Sequence, residues 1–183
     1  ALCAQPGVGI VGAKLYYPDD TIQHAGVIVG LGGYAGHSHK YAKRGGSGYM
    51  FRAATVQDLS AVTAACLLVK AAVYDEAGGL DEGFAVAFND VDFCLRVRAL
   101  GYRVLFTPYA ELYHYESKSR GLDTKGPARE RFEGERRRMK RRYGESLLRD
   151  PFYNPNLTLD REDFSESDAL PKDDPVPGVP ARG

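Results

Sequence analysis

The stretch from residue 75 to 98 constrains the fold most, because its pattern predicts two helices joined by an exposed loop. A glycine pair ends the first helix, and Gly101 follows the second. Asn89 is a favourable N-cap, and Asp92, three residues later, completes a pair similar to a capping box. Apolar residues between 91 and 100 give the second helix a wide apolar face. The pattern therefore predicts acidic groups at the mouth of a helix that packs on a core.

Asp90 falls in the first turn of this second helix, where the positive end of the helix dipole favours a carboxylate. A carboxylate held there stays ionised and can accept a proton from a substrate hydroxyl, as a general base does. The alternative is that Asn89, Asp90 and Asp92 only cap the helix and face solvent. Spacing alone favours this alternative, because a general base also requires a cavity and a substrate hydroxyl.

The whole chain has the composition of one ordinary globular domain. It contains 183 residues, of which 44% are hydrophobic and 26% are charged, which is enough for a core of its own. The 24 basic and 24 acidic residues cancel, so charge does not point to nucleic acid as a partner. No apolar run is long enough to cross a bilayer, and the first residues do not form a signal peptide. Cys66 and Cys94 lie in apolar patterns typical of reduced core residues in a cytoplasmic protein.

Strand and helix patterns alternate along the chain and predict an α/β fold, a mixed sheet with flanking helices. Residues 8–17 and 21–29 form a hairpin pattern around a Pro-Asp-Asp turn. A short helix is predicted at 70–77. Further strands are predicted at 63–69, 102–107 and 110–115. A proline separates the last two, because it cannot donate a ladder hydrogen bond.

Histidines mark two polar segments. The glycine-rich segment 30–48 carries His37 and His39, which share a face if the segment is extended. A metal-binding pair is one alternative there. The glycines match neither the Walker nor the dinucleotide pattern, so we assign this segment to the acceptor side or to a lid. His114 lies where an extended segment enters a polar loop, and no close set of His, Cys, Asp or Glu completes a metal site around it.

Basic residues follow in two groups. Lys118, Ser119 and Arg120 form either a solvated loop or a clamp on a pyrophosphate, since these donors suit phosphate oxygens. The helix predicted at 127–143 carries six more basic residues near its end, at 136, 137, 138, 140, 141 and 142. Their ordinary role is a solvated helix face. The alternative is attraction to anionic lipid headgroups or to a lipid-linked pyrophosphate acceptor, which predicts peripheral membrane contact.

Taken in order, these segments resemble the second half of family 2 glycosyltransferases, in particular bacterial enzymes related to rhamnosyltransferases of O-antigen and cell-wall polysaccharide assembly. Residues 88–96 resemble the acidic motif that holds the catalytic base of the family. Residues 113–121 resemble its closing loop near the donor diphosphate. The other matches are the hairpin after the metal-binding strand, the floor of the acceptor site and a tail of this subgroup, at 8–27, 63–82 and 154–164. Their order and spacing make the resemblance fairly specific.

The resemblance implies a partial nucleotide-diphospho-sugar transferase fold, called GT-A, and an inverting transfer of a sugar such as rhamnose. The acceptor is a saccharide or a lipid-linked group. Asp90 becomes the general base that deprotonates the acceptor hydroxyl. Asp81, Asn89 and Asp92 become acceptor-binding residues, although many relatives carry Glu where this chain has Asn89.

On the donor side, the resemblance implies a nucleotide-sugar whose diphosphate is the leaving group. His114 becomes a ligand of the divalent metal, Mg²⁺ or Mn²⁺, that neutralises this diphosphate. Lys118, Ser119 and Arg120 become contacts to the diphosphate as the loop closes.

One expected part has no counterpart in this sequence. In the family that the chain resembles, an N-terminal half with an Asp-X-Asp motif binds most of the nucleotide and the metal. The only similar pairs lie in the hairpin turn and in the base motif itself. We therefore expect a fragment truncated at its N-terminus, with the acceptor-binding half at 1–164 and a disordered tail at 165–183. Alone, it should transfer little sugar.

If the chain is a fragment, its exposed sheet edges and its parent enzyme lead to expectations about partners and cellular location. Strands that lack their natural neighbours leave sheet edges, which predict pairing with another copy of the chain. The parent enzyme is expected in the cytoplasm, with the inner face of the membrane as a candidate site. Two other classes of function stay open at this point. One is a non-catalytic module that binds carbohydrate or protein, and the other is a membrane-surface scaffold that uses the basic helix.

Overall fold

The fold is described for residues 1–115 and 126–168 by a computed structural model. The strands in these residues are β1 (Val8–Tyr16), β2 (Ile22–His24), β3 (Val27–Val29), β4 (Ala35–His37), β5 (Gln57–Asp58), β6 (Leu67–Val69) and β7 (Arg103–Tyr113). The α-helices are α1 (Ala71–Glu76), α2 (Asn89–Ala99) and α3 (Gly126–Tyr143). Short 3₁₀ turns occur at Leu2–Ala4, Leu31–Gly33, Tyr49–Phe51 and Gly144–Leu148.

Strand β1 organises the main sheet, since it pairs along both of its edges. On one edge it runs parallel to β7 over its whole length. On the other edge it is antiparallel to β6 near its start and to β2 near its end. Strand β5 pairs antiparallel with β7, which completes a five-stranded sheet. The chain thus has a mixed α/β fold built on a mixed sheet, in agreement with the class predicted from the sequence.

The predicted hairpin is confirmed in its first part only. Strands β1 and β2 are antiparallel, with Leu15 opposite His24. The strand predicted at 21–29 breaks at Gly26, whose φ is +103°, a conformation that favours glycine. A Cβ atom there would also lie 2.2 Å from the Leu59 side chain. After this break, β3 pairs with β4 in a separate two-stranded sheet.

Strand β7 continues through Pro108, where two separate strands were predicted. Its register against β1 jumps from Ala13 opposite Thr107 to Lys14 opposite Glu111. Proline has no N–H to donate, so the chain bulges past the gap and then resumes pairing. The continuation brings the chain to His114, whose N–H donates to the carbonyl of Tyr16 at 2.9 Å.

Helix α2 packs on the sheet through the apolar face that the sequence predicts. Val91, Phe93, Cys94 and Val97 are buried, and each large apolar side chain contributes about 1.5–3 kcal/mol. Burial raises the pKa of the Cys94 thiol to about 12, so it stays a thiol, as expected for a reduced core cysteine. Cys66 is also a free thiol, as predicted, but it is only half-buried and is therefore not a core residue.

Helix α3 is only in part the solvated basic face that its sequence predicts. Met139 is fully buried, and the guanidinium of Arg136 lies 4.2 Å from the ring of Tyr34. Arg138 and Arg142 bond to Asp81. Of the six basic residues, 137, 140, 141 and 142 are exposed, whereas 136 and 138 are half-buried. Within the described residues, no helix combines the length and apolar character needed to cross a membrane.

The predicted tail begins within the described residues. Glu166 forms a bridge with Leu157, and the N–H of Ser167 donates to the carbonyl of Asn156 at 2.8 Å. Residues 165–167 are therefore paired with the segment before them. The rest of the predicted tail, 169–183, lies outside the described residues.

Candidate functional site

Asp90 lies in the first turn of α2, as predicted, but the helix is capped differently. The residue before the helix is Phe88, with φ at +63°, and no side chain caps the helix. The side-chain oxygen of the half-buried Asn89 accepts a hydrogen bond from the Asp90 N–H at 2.7 Å. The predicted capping-box pair of Asn89 and Asp92 is therefore wrong.

The Asp90 carboxylate is held by backbone donors. One oxygen accepts from the N–H of Val91 at 2.8 Å, and the other from the N–H of Ala64 at 3.1 Å. No arginine or lysine of the described residues forms an ion pair with it. These backbone donors orient the carboxylate, and no cation among the described residues blocks it. The carboxylate can therefore act as a proton acceptor for a group that enters beside it.

A cavity of about 320 Å³ opens beside Asp90, within the size range of small-molecule sites. Its polar lining includes Asp90 and His37, and its aromatic lining is Phe88 and Phe132. Strands β3 and β4, the loop before α2, and helix α3 all contribute to the wall. The cavity therefore joins a carboxylate and an imidazole with apolar ring faces.

Glu135 of α3 fixes the lip of this cavity. It is 4% exposed, and its carboxylate accepts from the N–H groups of Val86 at 3.1 Å and Ala87 at 2.9 Å. Phe132, nearly one turn earlier, stacks on Phe88 with ring centroids 5.8 Å apart. A positive φ at a residue such as Phe88 costs about 1–3 kcal/mol and persists only where neighbours hold it. Helix α3 supplies these neighbours.

His37 faces the cavity from β4 and rests on a second histidine. Its Nδ1 lies 3.0 Å from the backbone carbonyl oxygen of Gln23. The ring of His24 meets it edge-on, with centroids 4.9 Å apart. His24 is fully buried, and burial, followed by the nearby His37, lowers its pKa well below the usual range. The Nε2 of this neutral ring accepts the N–H of Thr63 at 3.3 Å.

His114 lies just after β7, and a single residue, Gln23, contacts both His114 and His37. Its Nδ1 is 2.8 Å from the side-chain oxygen of Gln23, the residue whose carbonyl contacts His37. Asp90 and His37 thus share one cavity, and Gln23 connects that cavity to His114. Among residues 1–115 and 126–168, no group of three or more His, Cys, Asp or Glu could hold a metal ion. His114 can therefore provide one ligand but not a complete set.

His39 does not form a metal-binding pair with His37. Its Nε2 accepts the N–H of Tyr49 at 3.0 Å, and its Nδ1 bonds to the hydroxyl of Ser38. Both ring nitrogens are occupied within the protein. Burial, and then the positive charges of Arg52 and Lys14, lower the pKa of His39 to about 4.

The two buried histidines with lowered pKa values, His24 and His39, predict a loss of stability in mild acid. A histidine whose folded pKa lies below its unfolded value of about 6.5 stabilises the fold at higher pH. That contribution disappears as pH falls from about 6.5 toward the folded pKa, because the unfolded chain takes up the proton. His39 alone should lower the free energy of unfolding by about 2 kcal/mol between pH 7.5 and pH 5, and His24 adds to the loss. Urea denaturation at several pH values measures it.

The variant His39→Gln is the matched control for this acid effect. It removes one titrating group and keeps a polar side chain, so the fall in stability over the same pH range should be smaller by about 2 kcal/mol. The comparison concerns the slope, and a uniform destabilisation by the substitution leaves it valid. An unchanged slope in His39→Gln contradicts the assignment of the acid effect to this residue.

The segment 30–48 is fixed on the body of the domain. Backbone hydrogen bonds join it to β2, including Ile22 N–H to the carbonyl of Ala42 at 2.7 Å. Arg44 then forms ion pairs with Asp20 at 2.9 Å and Glu111 at 3.0 Å. These contacts hold the segment in place, which argues against the lid alternative.

Asp92 is fully buried and binds two arginines. Its carboxylate accepts from Arg96 at 2.9 Å, from Arg142 of α3, and from the hydroxyl of Tyr143 at 2.7 Å. Hydrogen bonding to Asp92 raises the pKa of Arg142, so the charged pair is mutually stabilised. Burial, and then the hydrogen bond to Asp92, raise the pKa of Tyr143. In this arrangement Asp92 joins α2 to α3 and has no surface left for an acceptor.

Asp81 extends the same network toward the loop before α2. The N–H of Gly83 donates to it at 2.7 Å, and Arg142 at 2.6 Å. These two contacts, in that order, and Arg138 lower the pKa of Asp81 to about 2 against the opposing effect of burial. Asp81 therefore stays ionised and is engaged within the protein. The remaining predicted site residues, Lys118, Ser119 and Arg120, lie outside the described residues.

Comparison with known proteins identifies several proteins whose sequences are similar to this chain. No family model and no solved structure matches the chain. Over 90% of its length, the chain is 54% identical to the uncharacterized protein y4gI of Sinorhizobium fredii. Over 87%, it is 37% identical to the O-antigen biosynthesis protein RfbC of Myxococcus xanthus. A 62-residue stretch is 32% identical to the N-acetylglucosaminyl-diphospho-decaprenol L-rhamnosyltransferase of Mycobacterium tuberculosis.

The relatives' names support a glycosyltransferase family with a role in polysaccharide synthesis. The chain spans 18%, 12% and 20% of these three relatives, so each relative is far longer than the part it shares. In and around the cavity, the structure brings Asp90, which the sequence predicted for the site, together with three residues that the sequence did not assign to it. These are His37, Gln23 and Glu135, whose contacts join segments distant in the sequence.

Proposed function

We propose that this chain is the acceptor-side part of an inverting glycosyltransferase with a partial GT-A fold. It would help move a sugar, with rhamnose as the candidate, from a nucleotide diphosphate to a saccharide or lipid-linked acceptor. One observation carries the proposal. The Asp90 carboxylate, held by two backbone N–H groups and by no cation of the described residues, lines a 320 Å³ cavity together with His37. The names of the relatives support the reaction class.

The proposed reaction uses Asp90 as the general base. The acceptor hydroxyl enters the cavity and gives its proton to the Asp90 carboxylate as its oxygen attacks the anomeric carbon of the donor sugar. The bond between that carbon and the nucleotide diphosphate breaks, and the diphosphate leaves with the bonding electrons. Attack from the face opposite the leaving group inverts the anomeric centre. The backbone donors from Val91 and Ala64 hold the carboxylate in one orientation for this step.

The acceptor side of the cavity matches a sugar in its chemistry. A sugar ring presents hydroxyl groups at its edge and C–H groups on its faces. Asp90 and His37 offer polar atoms, while Phe88 and Phe132 offer apolar faces. Asn89 lies beside the base, as an acceptor-binding candidate. Asp81 and Asp92 contribute indirectly, through the ion network that holds α2.

The donor side of the proposal depends on residues around His114. The ring fits a divalent cation as one ligand, because its Nδ1 is engaged by Gln23 and its Nε2 makes no hydrogen bond with the described residues. When bound, Mg²⁺ or Mn²⁺ would neutralise negative charge on the leaving diphosphate. The other ligands would come from elsewhere in the longer protein. We propose diphosphate contacts for Lys118, Ser119 and Arg120 as well.

Transfer assays on the longer parent protein test the proposed function. The parent and the 183-residue chain are each given dTDP-rhamnose or a UDP-sugar, with saccharide acceptors and Mn²⁺, and glycoside formation is followed by mass spectrometry. We expect turnover by the parent and none of useful rate by the chain alone, because most of the nucleotide contacts would lie outside it. Robust turnover by the isolated chain contradicts the part of the proposal that makes it a partial domain.

A binding module without chemistry is the alternative that this cavity also fits. It would bind saccharides through Phe88, Phe132 and His37 and would not require a base. Saccharide binding by the parent, together with the absence of nucleotide-sugar binding and of turnover, favours the module and contradicts the transferase. Isothermal titration with a nucleotide-sugar and with a saccharide separates the two.

A further inference from the structure

Gln23 occupies a central position between the two histidines of the site. It lies on β2 and is 1% exposed. Its side-chain oxygen is 2.8 Å from Nδ1 of His114, and its side-chain nitrogen lies 3.5 Å from the His114 carbonyl oxygen. Its own backbone carbonyl oxygen is 3.0 Å from Nδ1 of His37. The buried Gln23 thus contacts the Nδ1 atom of His37 and the Nδ1 atom of His114.

The chemistry of these partners decides where each imidazole carries its proton. A backbone carbonyl can only accept a hydrogen bond, so the Nδ1 of His37 must be the donor. The carbonyl of His114 likewise requires the NH₂ end of the Gln23 amide, which turns the amide oxygen toward the His114 ring. An amide oxygen also only accepts, so the Nδ1 of His114 must donate to it.

We propose that Gln23 is a positioning residue that fixes both site histidines with the proton on Nδ1 and the lone pair on Nε2. A neutral imidazole has one N–H, so a proton held on Nδ1 leaves Nε2 as an acceptor. In neither ring does Nε2 make a hydrogen bond with the described residues. His37 lines the cavity that contains Asp90. For His114, the Nε2 acceptor is the atom that a divalent cation requires.

The inference concerns the two tautomers and stands apart from the transfer reaction. Only the use of the two lone pairs, for a sugar hydroxyl and for a cation, rests on the proposed function. The histidine side chain in water prefers the proton on Nε2, so the proposed state is one that the protein must impose.

Nitrogen NMR of the 183-residue chain tests the proposal directly. The chain has four histidines, and single replacement of each assigns the ring signals. At about pH 8, above the usual imidazole pKa of about 6.5, we expect His37 and His114 to show a protonated Nδ1 and an unprotonated Nε2. A wild-type spectrum in which either ring carries its proton on Nε2 overturns the proposal without any variant.

Substitutions at Gln23 separate the two contacts within one molecule. Gln23→Leu removes the side-chain acceptor for His114 but keeps the backbone carbonyl for His37. His114 should then shift its proton toward Nε2, while His37 keeps its proton on Nδ1 and serves as the internal control for folding. Gln23→Glu keeps an acceptor oxygen, so it should restore the Nδ1 proton of His114. An unchanged His114 tautomer in Gln23→Leu overturns the proposal.

Mn²⁺ binding by the longer protein distinguishes this inference from the proposed function. Loss of a group that orients a metal-ligating histidine commonly weakens metal binding about 10- to 100-fold. We expect a loss in this range for Gln23→Leu and near wild-type affinity for Gln23→Glu, measured by titration with Mn²⁺ alone. If the tautomer changes as expected and the Mn²⁺ affinity does not, the positioning role of Gln23 stands. The assignment of His114 as a metal ligand then fails.

Discussion

The substitution Asp90→Asn in the longer protein is expected to lower turnover about a hundredfold or more, as the loss of a general base does. Asparagine keeps the size of the side chain and one of the two acceptor oxygens, so the N–H of either Val91 or Ala64 can still donate to it. It cannot take the proton of an acceptor hydroxyl. Donor binding should stay nearly intact, because the donor would contact other residues. Steady-state kinetics and titration with the nucleotide-sugar measure the two effects separately.

Asp75→Asn is the matched control for this prediction. Asp75 is an exposed carboxylate on α1, and it does not line the cavity. The same chemical change there should leave turnover unchanged. Unaltered turnover in Asp90→Asn removes this residue from the role of base. A large loss of donor affinity in the same variant contradicts the assignment of Asp90 to the acceptor side.

The sequence predicted α2 and its position in the fold because the information is local. Apolar residues recur at helical spacing after Asn89, and a glycine follows the last turn. Both features depend only on residues within a few turns of each other. The mixed sheet could be predicted in the same way, from strands with clear apolar runs. Even so, the behaviour of Pro108 could not, because a bulge depends on what the neighbouring strand offers.

The histidine arrangement could not be predicted from the sequence, because it depends on three distant segments. Gln23 is 14 residues from His37 and 91 residues from His114. These contacts arise only because the chain leaves the main sheet at Gly26 and because β7 passes its proline without ending. Neither event has a signal at His37 or Gln23. Spacing instead pointed to His37 with His39, which the structure separates.

The two aspartates of α2 illustrate the same limit within one helix turn. Asp90 and Asp92 are two residues apart, and residues at this spacing point to different sides of a helix. Asp90 lines the cavity, while Asp92 is 0% exposed and faces the arginines of α2 and α3. The sequence shows two equivalent carboxylates near a helix start. Only the position of α3, which is remote in the sequence, gives them different roles.

The buried carboxylate of Asp92 is therefore expected to stabilise the folded chain. Asp92→Ala should lower the free energy of unfolding by about 3 kcal/mol, at the low end of the range for breaking a buried ion pair. The low end applies because Arg96 and Arg142 are 26% and 34% exposed and can regain water, and Arg142 keeps its contact with Asp81. Denaturation of the 183-residue chain measures the change, which corresponds to a melting temperature about 6–12 °C lower.

Two further variants show whether the ion network causes this loss. Asp75→Ala removes an exposed carboxylate on α1 and should change stability by less than about 0.5 kcal/mol. In a double-mutant cycle, Asp92→Ala and Arg142→Ala should be non-additive by more than about 1 kcal/mol, because the two side chains are in direct contact. Additive losses contradict the pairing. Since Asp92 anchors the turn that carries Asp90, its loss should also lower turnover in the longer protein without removing the base itself.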